Sequence, residues 1–382
     1  MKIFITSSSG ISPRSSTFRL SNGLDVPVFK IDNSDLKNID IPNFNKLDRV
    51  TKLAVASVLP IKDNLKINES EFTKDLACIV GSARGATSTL ESAFLNFHLK
   101  GVVPPTTSPL TTAGGIATSI SNLWQKPPIA IGTSMACASF MEALVIAESM
   151  IKSKRIKRAI VCGAEAVITG FSISQFIALK IYSQESGDFP CKPFNKDNNK
   201  NTLVVSEGAA SILLESEESI VETKNNPLFE LKSIGLTQER NITLTGMSAE
   251  GDSFLHSMEI ALKSASIFKM PDLIVAHAPG TIAGDTSEYN AIMRLSNKLD
   301  NSDELNVFST KLLYGHSFGA SSALTMNFIC NENEFLNRKM HYPYKLKDNI
   351  ALNPLDKLPS LVMINSAGFG GVVGSIIISK VI

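Results

Sequence analysis

A cysteine set among small residues is the first candidate for chemistry in this chain. Cys137 stands in Ile-Gly-Thr-Ser-Met-Ala-Cys-Ala-Ser-Phe, residues 131–140, and an apolar run over 140–151 follows directly. The pattern places the thiol where a buried helix begins. The first backbone N–H groups and the positive helix end would then face the sulfur and favour thiolate over thiol. A thiolate there could attack an acyl carbon. The plainer alternative is a thiol that fills core space, since free cysteine is among the most buried residue types.

Three further motifs lie in the second half. His277 follows Ile274-Val275-Ala276 and precedes Ala-Pro-Gly-Thr. Its imidazole therefore sits at the carboxyl end of a buried strand, where ligands bind in open α/β sheets. A hydrogen-bonded structural histidine beside a turn is the alternative. His316 stands between Gly315 and Gly319, five residues after Lys311. Residues 365–371, Asn-Ser-Ala-Gly-Phe-Gly-Gly, form a glycine-rich turn between two strands. It permits close backbone approach to a substrate, or a tight hairpin.

The elements that must position these residues alternate in type. Short β-branched runs predict strands over 2–6, 76–81, 159–163, 210–215, 229–235, 273–277, 361–365 and 374–379. Helical patterns fall over 47–59, 88–99, 137–151, 286–299 and 319–330. The alternation predicts an α/β protein with mostly parallel sheets. The polar stretch 216–227 is the best seam between halves 1–220 and 221–382, and 184–201 reads as a long surface loop. The basic run of Lys152, Lys154, Arg155, Lys157 and Arg158 reads as a solvated face after a long helix.

Composition narrows the classes. The chain has 382 residues with 43% hydrophobic and 19% charged side chains, enough for a large core. Lys plus Arg (37) nearly balances Asp plus Glu (36), which gives no reason to expect nucleic acid as a partner. Five cysteines without C-x-x-C spacing argue against a disulfide framework or a zinc site and fit a reducing cytoplasm. No run of about 18 apolar residues suggests a membrane span, and the N-terminus reads as a first strand, not a signal peptide.

Taken together, the motifs resemble those of the β-ketoacyl synthase family of the thiolase fold, over nearly the whole chain. Ser134-Met135-Ala136-Cys137-Ala138 is similar to the family's Thr-Ala-Cys motif, with Met in place of Thr. His277, Thr281, Asp285 and Glu288 match His-Gly-Thr-x-Thr-x-x-x-Asp-x-x-Glu at the same spacing. Lys311, Gly315, His316, Gly319 and Ala320 reproduce Lys-x-x-x-Gly-His-x-x-Gly-Ala, and residues 365–371 match the closing Gly-rich motif except at Ala367. Pro193-Phe194 and residues 206–209 resemble two further segments.

The resemblance implies a layered αβαβα fold, in which two similar halves each carry a mixed, mostly parallel five-stranded sheet. It implies a decarboxylating condensation of an acyl thioester held on Cys137 with a malonyl thioester on an acyl carrier protein. His277 and His316 would be electrophilic partners, with Lys311 and Glu288 a buried pair that orients them. The backbone N–H groups of Cys137 and Phe369 would form the oxyanion hole, and Phe369 a gate. Thr281 would hold the pantetheine arm and Lys192 would dock the carrier. No metal or cofactor is expected, because phosphopantetheine arrives on the carrier protein. A homodimer, or a heterodimer with a related ketosynthase or chain-length subunit, is implied. Pro279, Ala367 and residues 195–205 depart from the family pattern and point to a specialised type II fatty acid, polyene or polyketide synthase. The alternative is a non-catalytic subunit resembling a chain-length factor.

Overall fold

The computed structural model describes residues 1–197, 199–239, 247–338, 341–352 and 357–381. Asn198, inside the loop expected over 184–201, lies outside them. In chain order the strands are β1 (Ile3–Ile11), β2 (Arg14–Arg19), β3 (Asp25–Lys30), β4 (Leu76–Gly81), β5 (Ile129–Thr133), β6 (Arg158–Ala166) and β7 (Glu207–Ser216). The second half adds β8 (Phe229–Gln238), β9 (Leu273–Val275), β10 (Leu305–Phe308), β11 (Ile350–Ala351), β12 (Leu361–Gly368) and β13 (Val372–Lys380).

The two halves repeat one topology. The first orders its strands β5-β4-β6-β7-β1 and the second β10-β9-β12-β13-β8, with β11 added at its edge. In both, the last strand runs antiparallel to its neighbours, as β7 does between β6 and β1 and β13 between β12 and β8. The other pairings, β6-β4-β5 and β12-β9-β10, are parallel. Phe4 opposite Glu230 and Ile5 opposite Phe229 join the two sheets. The hairpin β2–β3 stands apart.

Side-chain alternation along the strands explains the layers. Ala77 and Ile79 of β4 and Val362 and Ile364 of β12 face one shared core with Phe140, Leu144, Met326 and Phe328. Cys78 and Val80 face away, into a core built on the helix Arg49–Asp63. Met363 and Ile377 face a third core, with Phe254 and Met258 of the helix Asp252–Ser264 and Leu295 of the helix Ile282–Lys298. The helices Ser139–Lys152 and Ser321–Cys330 therefore lie between two sheets whose far faces are also covered. Such doubly covered strands must be apolar throughout, which is why these runs are legible in the sequence. The αβαβα expectation is met.

Several details differ from the sequence reading. Stretch 216–227 is not a bare seam: it holds the helix Glu217–Thr223, capped by the Ser216 side chain, and a cut at 220/221 falls inside that helix. The stretch 184–201 is not wholly surface, since Cys191 and Phe194 are fully buried. In the basic run, Arg158 is not solvated. It is buried, lies over the Phe72 ring and bonds Ser219, Glu222 and the Phe72 carbonyl.

Candidate active site

Cys137 and His277 follow the carboxyl ends of parallel strands. β5 ends at Thr133, and residues 134–138 turn the chain into the helix Ser139–Lys152. The turn is tight, with Ala136 at φ 47°. The Ser139 hydroxyl donates to the Ala136 carbonyl at 2.6 Å and accepts the Met135 N–H at 2.9 Å. Gly81 at the end of β4 lies against the first turn of this helix; a Cβ there would strike the Ser139 carbonyl. Cys137 is 6% exposed.

The electrostatics of the thiol differ from the sequence expectation. Burial pushes the Cys137 thiol up to about 12, and Glu165 adds to the rise, while Lys311, Arg84 and its own N–H pull the other way. Desolvation outweighs the helix end, so the resting group is a thiol.

His277 lies two residues beyond β9 and His316 just beyond the short helix Lys311–Tyr314. Their rings meet edge to face with centroids 5.3 Å apart at 84°. Burial and the Lys311 charge hold both well below the ordinary imidazole range, His316 at about 3. Both are neutral at pH 7. His316 Nδ1 lies 3.0 Å from the Ser321 hydroxyl, which already accepts the Ser317 N–H at 3.1 Å. Ser321 can therefore give its proton to Nδ1, leaving His316 with an Nε2–H donor. His277 Nδ1 is buried with no hydrogen-bond partner among the described residues.

Lys311 and Glu288 do not form the expected ion pair. Glu288 instead accepts the backbone N–H groups of His277 and Ala278 at 2.9 and 2.7 Å and the Asn365 amide at 3.0 Å. Burial raises the Glu288 carboxyl against those donors. Burial lowers the Lys311 ammonium to about 8, with Glu288 opposing through space. Glu288 positions His277 through its backbone; Lys311 acts as a nearby charge.

Cys137, His277, His316, Thr281, Phe318 and Phe369 line one cavity of about 380 Å³. Phe176, Leu179, Leu203 and Ala367 give it apolar walls, and Asn201 adds a polar side chain. Gly370 and Gly371 have φ near 90° and 84°, and the Gly371 N–H closes a turn onto the Gly368 carbonyl at 3.1 Å. Phe369 projects from that turn, 45% exposed. A Cβ on Gly368 would sit 3.1 Å from the Cys137 nitrogen, so the two segments touch. Thr281 also caps the helix Ile282–Lys298, its hydroxyl accepting the Gly284 N–H.

Lys192 is not brought to the cavity. Its ammonium pairs with Glu185 at 2.6 Å. Residues outside the sequence reading also build the site: Ser321, Phe318 (stacked on His316 at 4.8 Å) and the buried Glu165. An acid at the end of the apolar strand over 159–163 is the signal that could have found Glu165.

A two-half αβαβα fold with a cysteine and two histidines in one cavity is a thiolase-fold architecture. Family models extend the assignment. Residues 25–219 match the N-terminal domain of β-ketoacyl synthase and residues 228–331 its C-terminal domain. The chain belongs to the β-ketoacyl synthase family. A 3-oxoacyl-[acyl-carrier-protein] synthase homolog of Saccharomyces cerevisiae is 26% identical over 83% of this chain and 74% of its own length. The 3-oxoacyl-[acyl-carrier-protein] synthase 2 of Coxiella burnetii is 26% identical over 90% and 84%. The ishigamide ketosynthase/chain length factor shares the fold at TM-score 0.85 and 20% identity, over 100% of this chain and 99% of the other. A type II polyketide ketosynthase complexed with its acyl-carrier protein does so at 0.84 and 19%, with the same coverage. Among the described residues, no helix is long and apolar enough to cross a membrane.

Proposed function

We propose that the protein is an elongating 3-oxoacyl-[acyl carrier protein] synthase of a type II fatty acid, polyene or polyketide system. The observation that carries this is the shared cavity of Cys137, His277 and His316. Cys137 attacks an acyl thioester; its proton passes to the departing pantetheine sulfur, and the acyl group stays on Cys137. The thiol is not ionised at rest, so proton loss accompanies attack. The backbone N–H groups of Cys137 and Phe369 receive the oxyanion, a role supported by the contact between Gly368 and the nucleophile turn.

In the second half-reaction the malonyl C–C bond breaks and carbon dioxide leaves. The electron pair moves onto the thioester as an enolate, which needs N–H donors in a dry site. Neutral His277 and His316 serve as those donors. The carbanion attacks the acyl-Cys carbonyl, the C–S bond breaks, and the departing Cys137 thiolate takes a proton from solvent as the 3-oxoacyl carrier product leaves. Decarboxylation supplies the carbanion without a metal or redox cofactor.

Thr281 at the cavity wall would bind the pantetheine arm and Phe369 would gate it. Lys192 would dock an acidic carrier only by giving up Glu185. The dimer partner, a second copy or a related subunit, would cover the unpaired edge strand β5 and the exposed Leu90, Phe94 and Phe97 of the helix Thr87–Lys100. Five free cysteines fit work in the cytoplasm. The test is incubation with acyl and malonyl carrier proteins, wild type against Cys137→Ala. A covalent acyl adduct and a 3-oxoacyl product, both lost in the variant, are expected. Unchanged product from Cys137→Ala would overturn this reading, and a wild type that never takes up the acyl group and makes no product would point to the chain-length-factor reading.

A further inference from the structure

Glu165, at the carboxyl end of β6, is fully buried and has no place in the chemistry above. Its carboxylate accepts four donors from two distant parts of the chain. Three come from the loop after β4: the Ala83 N–H at 2.8 Å, the Arg84 N–H at 3.2 Å and the Ser82 hydroxyl at 3.3 Å. The fourth is the Gly319 N–H at 3.2 Å. Gly319 belongs to the turn Phe318–Ala320, which follows His316 almost directly.

The contact is close and it ends on His316. A Cβ on Gly319 would lie 2.7 Å from the Ala83 nitrogen and 3.1 Å from Glu165 Oε2. Phe318, at φ 43°, stacks on the His316 ring and packs on Phe176 at 5.1 Å. The Arg84 guanidinium closes the circuit, lying 5.5 Å over Phe176 and donating to Gln175 at 2.8 Å. Both ends of loop 82–84 thus reach the histidine turn, one through the carboxylate and one through stacked rings. A buried carboxyl without an ion-pair partner is costly, so these three N–H groups and the Ser82 hydroxyl must hold it.

We propose that Glu165 is a positioning residue for condensation, locking loop 82–84 of the first half to the turn behind His316 in the second, and so fixing His316 relative to Cys137. This rests on the reading of Cys137 as the acyl acceptor. Glu165 also places negative charge near the thiol. The groups facing Cys137 are Glu165 and Arg84 from the first half and Lys311, His277 and His316 from the second. Glu165 itself faces Ser82, Ala83, Arg84 and Gly319.

Two variants separate geometry from charge. Glu165→Gln removes the charge and two acceptor sites; Gly319→Ala wedges the same contact open and keeps the charge. Each is assayed for acyl loading of Cys137, for condensation, and for the pH midpoint of Cys137 alkylation by iodoacetamide, followed by peptide mass spectrometry. Both should lower condensation kcat about tenfold while acyl loading changes less than about twofold. Glu165→Gln alone should move the alkylation midpoint down, by about half a pH unit. Wild-type turnover in either folded variant overturns the clamp. If Glu165→Gln does not fold, Gly319→Ala decides by the same kcat criterion. Condensation that survives Cys137→Ala would sink the nucleophile reading separately, whatever Glu165 does.

Discussion

The Glu288 carboxylate grips the backbone of His277, accepting its N–H at 2.9 Å and that of Ala278 at 2.7 Å. The carboxylate therefore sets where the strand end delivers the imidazole, and Asn365 from β12 braces it from behind. The Ser375 hydroxyl donates in turn to the Asn365 carbonyl at 2.8 Å, which links the brace to β13. Geometry errors of about 1 Å in a catalytic group cost on the order of a hundredfold.

Glu288→Gln should therefore lower condensation about 10- to 100-fold and acyl loading much less. Separate assays of acyl transfer to Cys137 and of carbon dioxide release from malonyl carrier measure the split. Equal loss in both steps would place Glu288 elsewhere in the mechanism.

Neutral histidines predict a particular acid response. The His316 imidazole falls from its ordinary 6.5 to about 3 through burial and the Lys311 charge. The folded state thus binds fewer protons than the unfolded state between those values, and this contribution to stability is lost as pH falls through that window. Thermal melts of wild type and His316→Asn should converge as pH drops from about 6.5 towards 4. Glu165 and Asp285, both raised to about 7 by burial, act in the opposite direction but are common to both proteins. A constant difference in Tm across that range would contradict a neutral His316.

Lys311 acts at a distance, so its loss should be readable at its neighbours. With Lys311→Met, His316 should titrate at higher pH, and Cys137 should be harder to deprotonate, since the ammonium lowers both. The chain holds five histidines, few enough to follow by NMR. An unchanged His316 titration would remove Lys311 from the site.

Gly368 offers a test of the oxyanion hole. An alanine Cβ there would meet Ala136 Cβ at 3.0 Å and the Cys137 nitrogen at 3.1 Å. Gly368→Ala should displace the two N–H donors relative to each other. Losing one such donor costs roughly 100- to 1,000-fold in kcat. Both half-reactions should suffer, with circular dichroism unchanged.

The exposed apolar face gives a prediction about assembly. Phe94 is 68% exposed on a helix that also shows Leu90 and Phe97 to solvent. A charge at the centre of such a face is costly to bury in an interface. Phe94→Glu should convert a dimer to monomer in sedimentation velocity, or abolish pairing with a related subunit. An unaltered sedimentation coefficient would move the interface elsewhere.

The core was legible where physics acts locally. Strands covered on both faces, such as β4 and β9, must be apolar throughout, and the motifs around Cys137, His277 and 365–371 stand at the ends of β5, β9 and β12. Elements governed by neighbours were not. β5 is a half-exposed edge, β10 is only four residues long, and the hairpin β2–β3 is almost entirely polar on one strand. The ionic details were hidden for a related reason. Local sequence suggested a thiolate at a helix end and the family resemblance a Lys–Glu pair, but burial sets the thiol's charge, and the Glu288 partners are two backbone N–H groups and the Asn365 amide brought in by folding. Glu165 meets Gly319 across 154 positions, a contact no local pattern encodes.

Intact-protein mass spectrometry addresses the nucleophile itself. The protein is mixed with acyl carrier substrate, the adduct is mapped, and malonyl carrier is then added. The expected result is one acyl group on Cys137 that disappears as 3-oxoacyl carrier and carbon dioxide form, with neither adduct nor product from Cys137→Ala. Condensation at the wild-type rate in that variant, or an acyl group on any other residue, would refute Cys137 as the acyl acceptor.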